Sequence, residues 1–345
     1  MNVRLWSILV GAVFACWVSS AIAQDNNLGT AENLGKAVPP DVLDAIKKAT
    51  SVTTVFPVNP GEKFAGQVLK ADEIVFAPGA TLTLTNLKVP FIVIAAKRWK
   101  FADATITTKI ERDPSVKGSN GMPGATGGNG LDGSGEVNRR GNDGVRGEAG
   151  KLGADGQELK MPHIYLVAGD LTSPKGEPLP GFLRLTLVAL GIDGGAGGNG
   201  GKGGNGGRGA GGKKGATSGF DCKDGPGRGG TGGVAGQGGQ GGKGGNGSDG
   251  AAITVIGPKP ATELFSYARI FNDGGVGGRA GRPGAPGQVG RGGGAAPRNG
   301  WCGSGQPGDA GDYPDPLDQG TRGPGSDGAK GQTTLITVNN LSPIF

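Results

Sequence analysis

Chemistry needs clusters of reactive side chains, and this chain offers few. The single histidine, His163, sits in His-Ile-Tyr-Leu-Val and reads as a strand residue without chemistry. No second histidine is present to make a ligand pair, and no Ser/His/Asp set is assembled by spacing. Gly-x-Gly-x-x-Gly recurs, but as a by-product of dense glycine and not as a phosphate loop. Residues 244–251 resemble one calcium nonapeptide unit, yet Ala251 is weak there and no tandem copy follows. Asp309, Asp312, Asp315 and Asp318 recur at intervals of three, which would align them on one face of an extended helix, where calcium favours carboxylate oxygens. Dense calcium-loop spacing is missing. The reading is therefore an acidic stripe, lying beside Arg279, Arg282 and Arg291, which share a phase of their own. No catalytic residue, metal ligand or cofactor is assigned, and a non-enzymatic protein is expected.

The cysteines say more. Residues 1–23 read as a secretory leader, with Arg4, an apolar run over 5–18 and Ala21-Ile22-Ala23 before Gln24. Cys16 follows Val13-Phe14-Ala15, but Phe14 fits a lipoprotein processing site poorly and no lipid anchor is assigned. Cleavage leaves Cys222 and Cys302 in an oxidising compartment, where an even pair favours a disulfide over a metal or a nucleophile. The expected location is extracellular or at the cell surface. No other run is long and apolar enough for membrane insertion. The formal net charge of +6 falls by one with Arg4, and the remaining basic residues are spread along the chain. A nucleic-acid partner is not implied.

Whatever these residues do, glycine must position them: 76 of 345 residues are glycine. It recurs at every third position over 191–215 and 227–245, and likewise over 118–133, 141–156 and 275–293. A ragged return runs through 305–311 and 323–331. Period three belongs to the extended helix with three residues per turn. Asn199, Lys202, Asn205 and Arg208 then share one face, as do Gln237, Gln240, Lys243 and Asn246, and glycine makes the other two. Glycine-rich sequence is commonly a flexible linker. Ordering each glycine costs roughly 0.5–1 kcal/mol more than alanine, and a backbone hydrogen bond returns about 1 kcal/mol. The terms nearly cancel, so phase decides. A linker has no reason to keep polar residues in register across two arms, and ordered rods are predicted. At about 3.1 Å per residue the arm over 191–215 would run roughly 75 Å.

The chain divides into a leader (1–23), an N-terminal segment (24–50), a β platform (51–117) and a glycine-rich region of three units (118–345). Within 24–50, residues 24–38 read as unstructured. Residues 39–48 read as a short helix, acidic early and basic late. Short β-branched runs at 73–76, 81–84, 91–94 and 104–107 suggest rungs of a right-handed β-helix, though a small sandwich would read alike. Each later unit is strand, arm out, polar tip, arm back, strand. Launching strands are read at 183–190 and 265–271, and receiving strands at 164–167, 252–256 and 334–338. The units repeat: 192–198 matches 272–278, and Gly-Ser-Asp-Gly at 247–250 matches 325–328. Six arms on one platform follow.

Each phased run also obeys the collagen rule Gly-X-Y. The arms at 191 and 227 hold almost no proline, often place glycine twice per triplet, and alternate with strands. The out-and-back pairing over roughly 118–331 instead resembles the polyglycine II sandwich of phage tail-fibre tip adhesins and, more simply, of a springtail antifreeze protein. The resemblance rests on architecture and glycine phase and matches no functional residue; a secretory leader is foreign to the phage case. It implies a mostly β fold with polyglycine II, in which a short β-helix-like platform carries extended helices packed as a sandwich within a monomer. The breaks between arms become distal tips of similar height, where Cys222 and Cys302 could meet although 80 positions apart. The outward residues are too hydrated and uneven for an ice-binding face. The tips differ while the arms repeat, which favours recognition. Arg139, Arg140, Lys213, Lys214, Trp301 and Tyr313 are the candidate binding residues, for a cell-surface glycan or protein. The alternative is a purely structural, collagen-like matrix or envelope protein.

Overall fold

A computed structural model describes residue 34 and residues 38–49, 53–103, 105–179, 183–315 and 322–345. The expected leader lies outside them, as does most of the segment 24–38. The two described residues of that segment, Leu34 and Val38, correct the unstructured reading, because both are buried. They join helix α1 (Pro40–Lys48), whose Val42 and Ile46 face a sheet through Phe91, Val93, Tyr165 and Val167. Pro39 precedes the helix, Asp41 lies in its first turn and Lys47 and Lys48 in its last, as the dipole favours.

Two wholly parallel sheets form the base. One contains β1 (Thr53–Val58), β3 (Val68–Phe76), β5 (Phe91–Phe101), β9 (His163–Thr172), β13 (Ile253–Gly257) and β15 (Thr333–Thr337), in that order. The other contains β2 (Glu62–Phe64), β4 (Thr81–Leu84), β6 (Thr108–Arg112), β10 (Leu185–Val188) and β14 (Arg269–Phe271). The chain alternates between them, strand by strand, so each sheet grows in sequence order. Strands of the platform therefore come from both sides of residue 118. Ile92, Ile94 and Leu166 of the first sheet pack against Leu82, Ile110 and Leu187 of the second. Strand β5 is apolar at six consecutive positions because its other face lies under α1. At the end away from the arms, Phe76 stacks on Phe101 at 4.9 Å and lies tilted against Trp99 at 5.4 Å, and the Trp99 Nε1–H donates to the Val167 carbonyl at 3.1 Å.

Two expected strands move. Of the run at 104–107, the described residues 105–107 are not β: the Asp103 carboxylate accepts from the Thr105 N–H and hydroxyl, a local turn that delays β6 to Thr108. The run at 265–271 is split. Helix α2 (Lys259–Phe265), started by Pro258 and a proline in its first turn, drives Phe265 against Trp99, and only Arg269–Phe271 is strand.

The corners from the second sheet back to the first are short after β2 and β4, at 65–67 and 85–90, and become long excursions after β6, β10 and β14. Each excursion goes out and returns, giving arms 1 to 6 in chain order: 118–133, 141–157, 191–213, 227–251, 273–296 and, as its described parts, 305–315 with 322–332. The sheet ladder runs straight into them. The Ala189 N–H donates to Phe271 and that of Gly191 to Asp273, after which the step changes from two residues to three, Gly194 donating to Val276. Arms 1, 3 and 5 form one parallel layer. Gly118 to Gly133 donate to arm 3 at 2.7–2.8 Å, and Gly191 to Gly209 donate to arm 5 at 2.8–2.9 Å. Arms 2, 4 and 6 form the second layer. Across the layers the arms are antiparallel, the second glycine set of arm 3 donating to arm 2 and that of arm 4 to arm 3.

This contact excludes side chains. A Cβ on Gly201 would lie 1.9 Å from the Ala125 carbonyl oxygen, and one on Gly200 would lie 1.9 Å from that of Gly239. The third residue of each triplet points outward, and its N–H faces no glycine rod. Asparagine and aspartate resolve this: Asn120 and Asp132 of arm 1 accept from the N–H of Ala196 and Arg208, and Asp193, Asn199 and Asn205 of arm 3 accept from arm 5. Asp143 and Asp155 serve arm 4 in the same way, and Asn246 and Asp249 serve arm 6. The outward polar phase is thus part of the ladder.

Both edges of the stack are closed. Where arm 3 carries Gly200 and Gly203, donating to arm 5, arm 5 carries Pro283 and Pro286, which have no N–H to leave unpaired. Pro307 and Pro324 hold the same positions on arm 6. At the other edge Met122 and Leu131 stand where arm 3 has Gly198 and Gly207, and their side chains occupy the place of a further rod.

Candidate functional site at the distal tip

Three closures meet at the far end of the arms. The first is the hairpin β7 (Glu136–Val137) and β8 (Arg140–Gly141), whose turn residues Asn138 and Arg139 have φ of 48° and 69°. Positive φ at both positions is the two-residue turn that follows strand twist; asparagine tolerates it and arginine is unusual there. The second is β11 (Ala216–Ser218) and β12 (Asp221–Asp224), turning through Gly219 and Phe220. The third is the bridge between Asn299 and Cys302, turning through Gly300 and Trp301.

Cys222 and Cys302 form a disulfide with Cα atoms 5.0 Å apart. Around it, the Asn299 Nδ2–H donates to the Gly215 carbonyl at 2.7 Å. The Arg139 guanidinium spans two excursions, 3.1 Å from an Asp224 carboxylate oxygen and 2.6 Å from the Lys214 carbonyl oxygen. The Lys213 ammonium is 3.1 Å from Glu136, and Arg140 binds Asp143 at 2.9 Å and the Thr231 hydroxyl at 3.0 Å. Arg139, Arg140 and Lys213 are therefore engaged in stitching, while the Lys214 ammonium has no ion pair among the described residues. Tyr313 does not reach the tip. It follows Gly311, which pairs with Gly290, so it stands along the outer edge of arm 6, about 25 Å below the closure at Gly305.

The sequence reading missed Phe220. It is 89% exposed, beside Trp301 at 66%, with ring centroids 6.2 Å apart in an edge-on arrangement. Two aromatic rings held on neighbouring turns beside a disulfide make an exposed apolar shelf. The available signal was an aromatic residue next to glycine in a break between phased arms, Ser-Gly-Phe and Asn-Gly-Trp.

Other candidates are not brought to this site. His163 lies at the base, half-buried, with Nε2 2.8 Å from the Thr254 hydroxyl and its ring stacked on Tyr165 at 4.1 Å. Burial pushes its pKa below the usual histidine value. Asp309, Asp312 and Asp315 lie on the outward side of arm 6, in the layer opposite Arg279, Arg282 and Arg291 of arm 5, so the two stripes are on opposite faces and not side by side. Asp318 falls outside the described residues. Among the described residues there is no group of three His, Cys, Asp or Glu side chains placed to hold a metal ion, and none of the helices is long and apolar enough to cross a membrane. Comparison of the chain with protein-family models, with curated proteins and with solved structures gave no match.

Proposed function

We propose that this chain is a secreted, non-enzymatic scaffold that presents its distal tip to a surface glycan or protein, in the manner of an adhesin. In this reading the base is a short β-helix and the six arms are polyglycine II rods packed as a two-layer sandwich. Strict strand alternation between two parallel sheets supports the first, and three-residue hydrogen-bond steps between glycine rods support the second. The observation that carries the function is the tip itself. Phe220 and Trp301 are exposed on turns fixed by a disulfide at the end of a stiff support. A protein that had only to close its arms would gain nothing from large exposed rings there, whereas flat rings in water suit the apolar face of a sugar or of a protein patch. A collagen-like matrix role fits less well, because the rods take their partners from within one chain.

Binding of the mature protein to arrays of neutral and charged glycans, and to cells, is the test. Replacing both rings (Phe220→Ser with Trp301→Ser) is expected to lower binding at least about tenfold while leaving the melting temperature unchanged, since both side chains are exposed. Binding unaltered by the double variant would refute the tip as the recognition site.

A further inference from the structure

The two broad faces of the arm stack differ in charge. On the face of arms 1, 3 and 5, the outward positions away from the root carry Lys202, Arg208, Arg279, Arg282 and Arg291. All five are exposed, and none is in an ion pair among the described residues. The acids on this face, Asp132, Asp193 and Asp273, keep their charge but pair with none of these five side chains. The Asp132 carboxylate accepts from the Arg208 N–H at 2.6 Å and Asp193 from that of Val276 at 2.8 Å, while Asp273 lies 3.7 Å from Lys330. The opposite face carries Asp309, Asp312 and Asp315 on arm 6 and Asp249 on arm 4. There Arg228 is bound to Asp309 at 2.6 Å and Arg322 to Asp155 at 2.7 Å, and the unpaired Arg146 and Lys243 stand among carboxylates that also include Asp143, Asp155 and Glu158.

The free cations are not scattered over their face. They sit on arms 3 and 5 alone, which are direct neighbours: Gly200 donates to the Arg282 carbonyl and Gly209 to that of Arg291. Arg208 is thus directly beside Arg291, while Lys202 stands beside Ala285, one triplet along from Arg282. Strands β10 and β14 launch these same two arms, and beyond the acids Asp193 and Asp273 at the root, Arg184 and Arg269 border one open pocket beside the second sheet. The result is a straight, narrow track of unneutralised charge on a stiff backing, with cations along one arm separated by multiples of about 9 Å.

We propose that this track binds a linear acidic polysaccharide, laid along arms 3 and 5 with its carboxylates or sulfates facing the guanidinium groups. Four of the five cations are arginines, which clasp planar or tetrahedral oxyanions through two N–H groups at once. A line two rods wide matches a chain-like polyanion better than a planar membrane, which would be met equally well by arm 1, and the outward positions of arm 1 carry no free cation over the Asn120–Asp132 stretch. Nucleic acid fits less well, since the outward positions of arms 3 and 5 carry no aromatic side chain on which bases could stack. The proposal takes the chain to be a recognition scaffold, as above, but places this ligand on the flank and not at the tip.

The test is binding of sodium polygalacturonate and of heparin to the full mature chain at low salt, by calorimetry or interferometry. Dextran, single-stranded oligothymidylate and phosphatidylglycerol vesicles are the comparison ligands. Binding of one or both acidic polysaccharides is expected, with a steep salt dependence whose slope falls by about one for each cation removed. Arg282→Glu with Arg291→Glu should weaken it at least about tenfold, and the milder Arg282→Gln with Arg291→Gln should weaken it less. Asp312→Lys on the opposite face and the Phe220/Trp301 double variant should leave it unchanged. The last of these separates failure of the track from failure of the tip. No binding of either polysaccharide at low salt, binding indifferent to both arginine pairs, or equal affinity for oligothymidylate or vesicles would each overturn the proposal.

Discussion

Alanine at Gly201 tests whether close approach between glycine rods holds the arms together. The new Cβ would lie 1.9 Å from the Ala125 carbonyl oxygen, 2.6 Å from its carbon and 2.8 Å from the Gly124 oxygen. All three are backbone atoms, so no side chain can rotate away. Restoring a normal contact requires rods 1 and 3 to part by more than about 1 Å, which carries bonds of 2.8 Å out of hydrogen-bonding range. The bonds at risk are Gly201 to Lys151 at 2.8 Å, Gly239 to Gly201 at 2.7 Å and Gly124 to Asn199 at 2.8 Å. At about 1 kcal/mol net each, with a further penalty for groups left buried and unpaired, the expected loss is about 3–6 kcal/mol. Gly225 is the control, because a Cβ there meets nothing within 4 Å. Gly225→Ala should be neutral or should stabilise by up to about 1 kcal/mol, through the unfolded chain alone. Urea unfolding followed by hydrogen exchange on the arms reports both. Equal stability of the two variants would refute the packing argument.

Two further outcomes follow from particular contacts. Replacing both Cys222 and Cys302 by alanine should destabilise by up to about 4.5 kcal/mol in the chain-entropy account for a loop of 80 residues, with exchange rising first at residues 216–224 and 299–302; free thiols in the folded protein under oxidising conditions, or bridges only between chains, would be the contrary result. His163 should titrate below its usual 6.5, because burial favours the neutral ring. With the folded pKa lowered, its contribution is fully present above 6.5 and is lost as pH falls from there to the depressed value. Being the single histidine, it gives one imidazole Hε1 resonance to follow, and a midpoint at or above 6.5 would contradict the burial argument.

Period was legible in the sequence and partnership was not. Gly191, Gly194, Gly197 and their successors announce a three-residue step by themselves, and Asn199, Lys202 and Arg208 announce an outward face. Nothing local says that Gly194 donates to arm 5 and Gly195 to arm 2, because both are glycine and differ only in what lies opposite. For the same reason the separation of Asp309 and Asp312 from Arg279 and Arg282 onto opposite faces could not be read: a phase is visible within one arm, but its direction depends on the layer. The Asx ladder was hidden because asparagine and aspartate suit any exposed position. The prolines at 283, 286, 307 and 324 look like irregularity until their missing N–H is set against an empty edge. At the tip, Cys222 and Cys302 were legible from their places in the breaks. Phe220 was passed over because exposure cannot be told from a lone aromatic in a glycine-rich loop, and the strand at 104–107 was misplaced because the Asp103 side chain competes with the ladder.

Stopping residues at both edges of the arm stack, with none between, fix how such a molecule can change in size. A segment spliced onto either edge meets proline or a bulky side chain and cannot join. A segment inserted between existing units meets glycine rods on both sides and sheet strands in register. Residues bonded through the outward ladder lie 76 to 88 positions apart within a layer, so an insertion that preserves every contact must bring about eighty residues at once: two strands, two rods and a new tip turn. Shorter insertions would shift one rod against its neighbours and break the three-residue step. Width should therefore change in whole increments, each adding a rod to both layers and one more turn to the distal tip, while the first and last rods keep their closing residues.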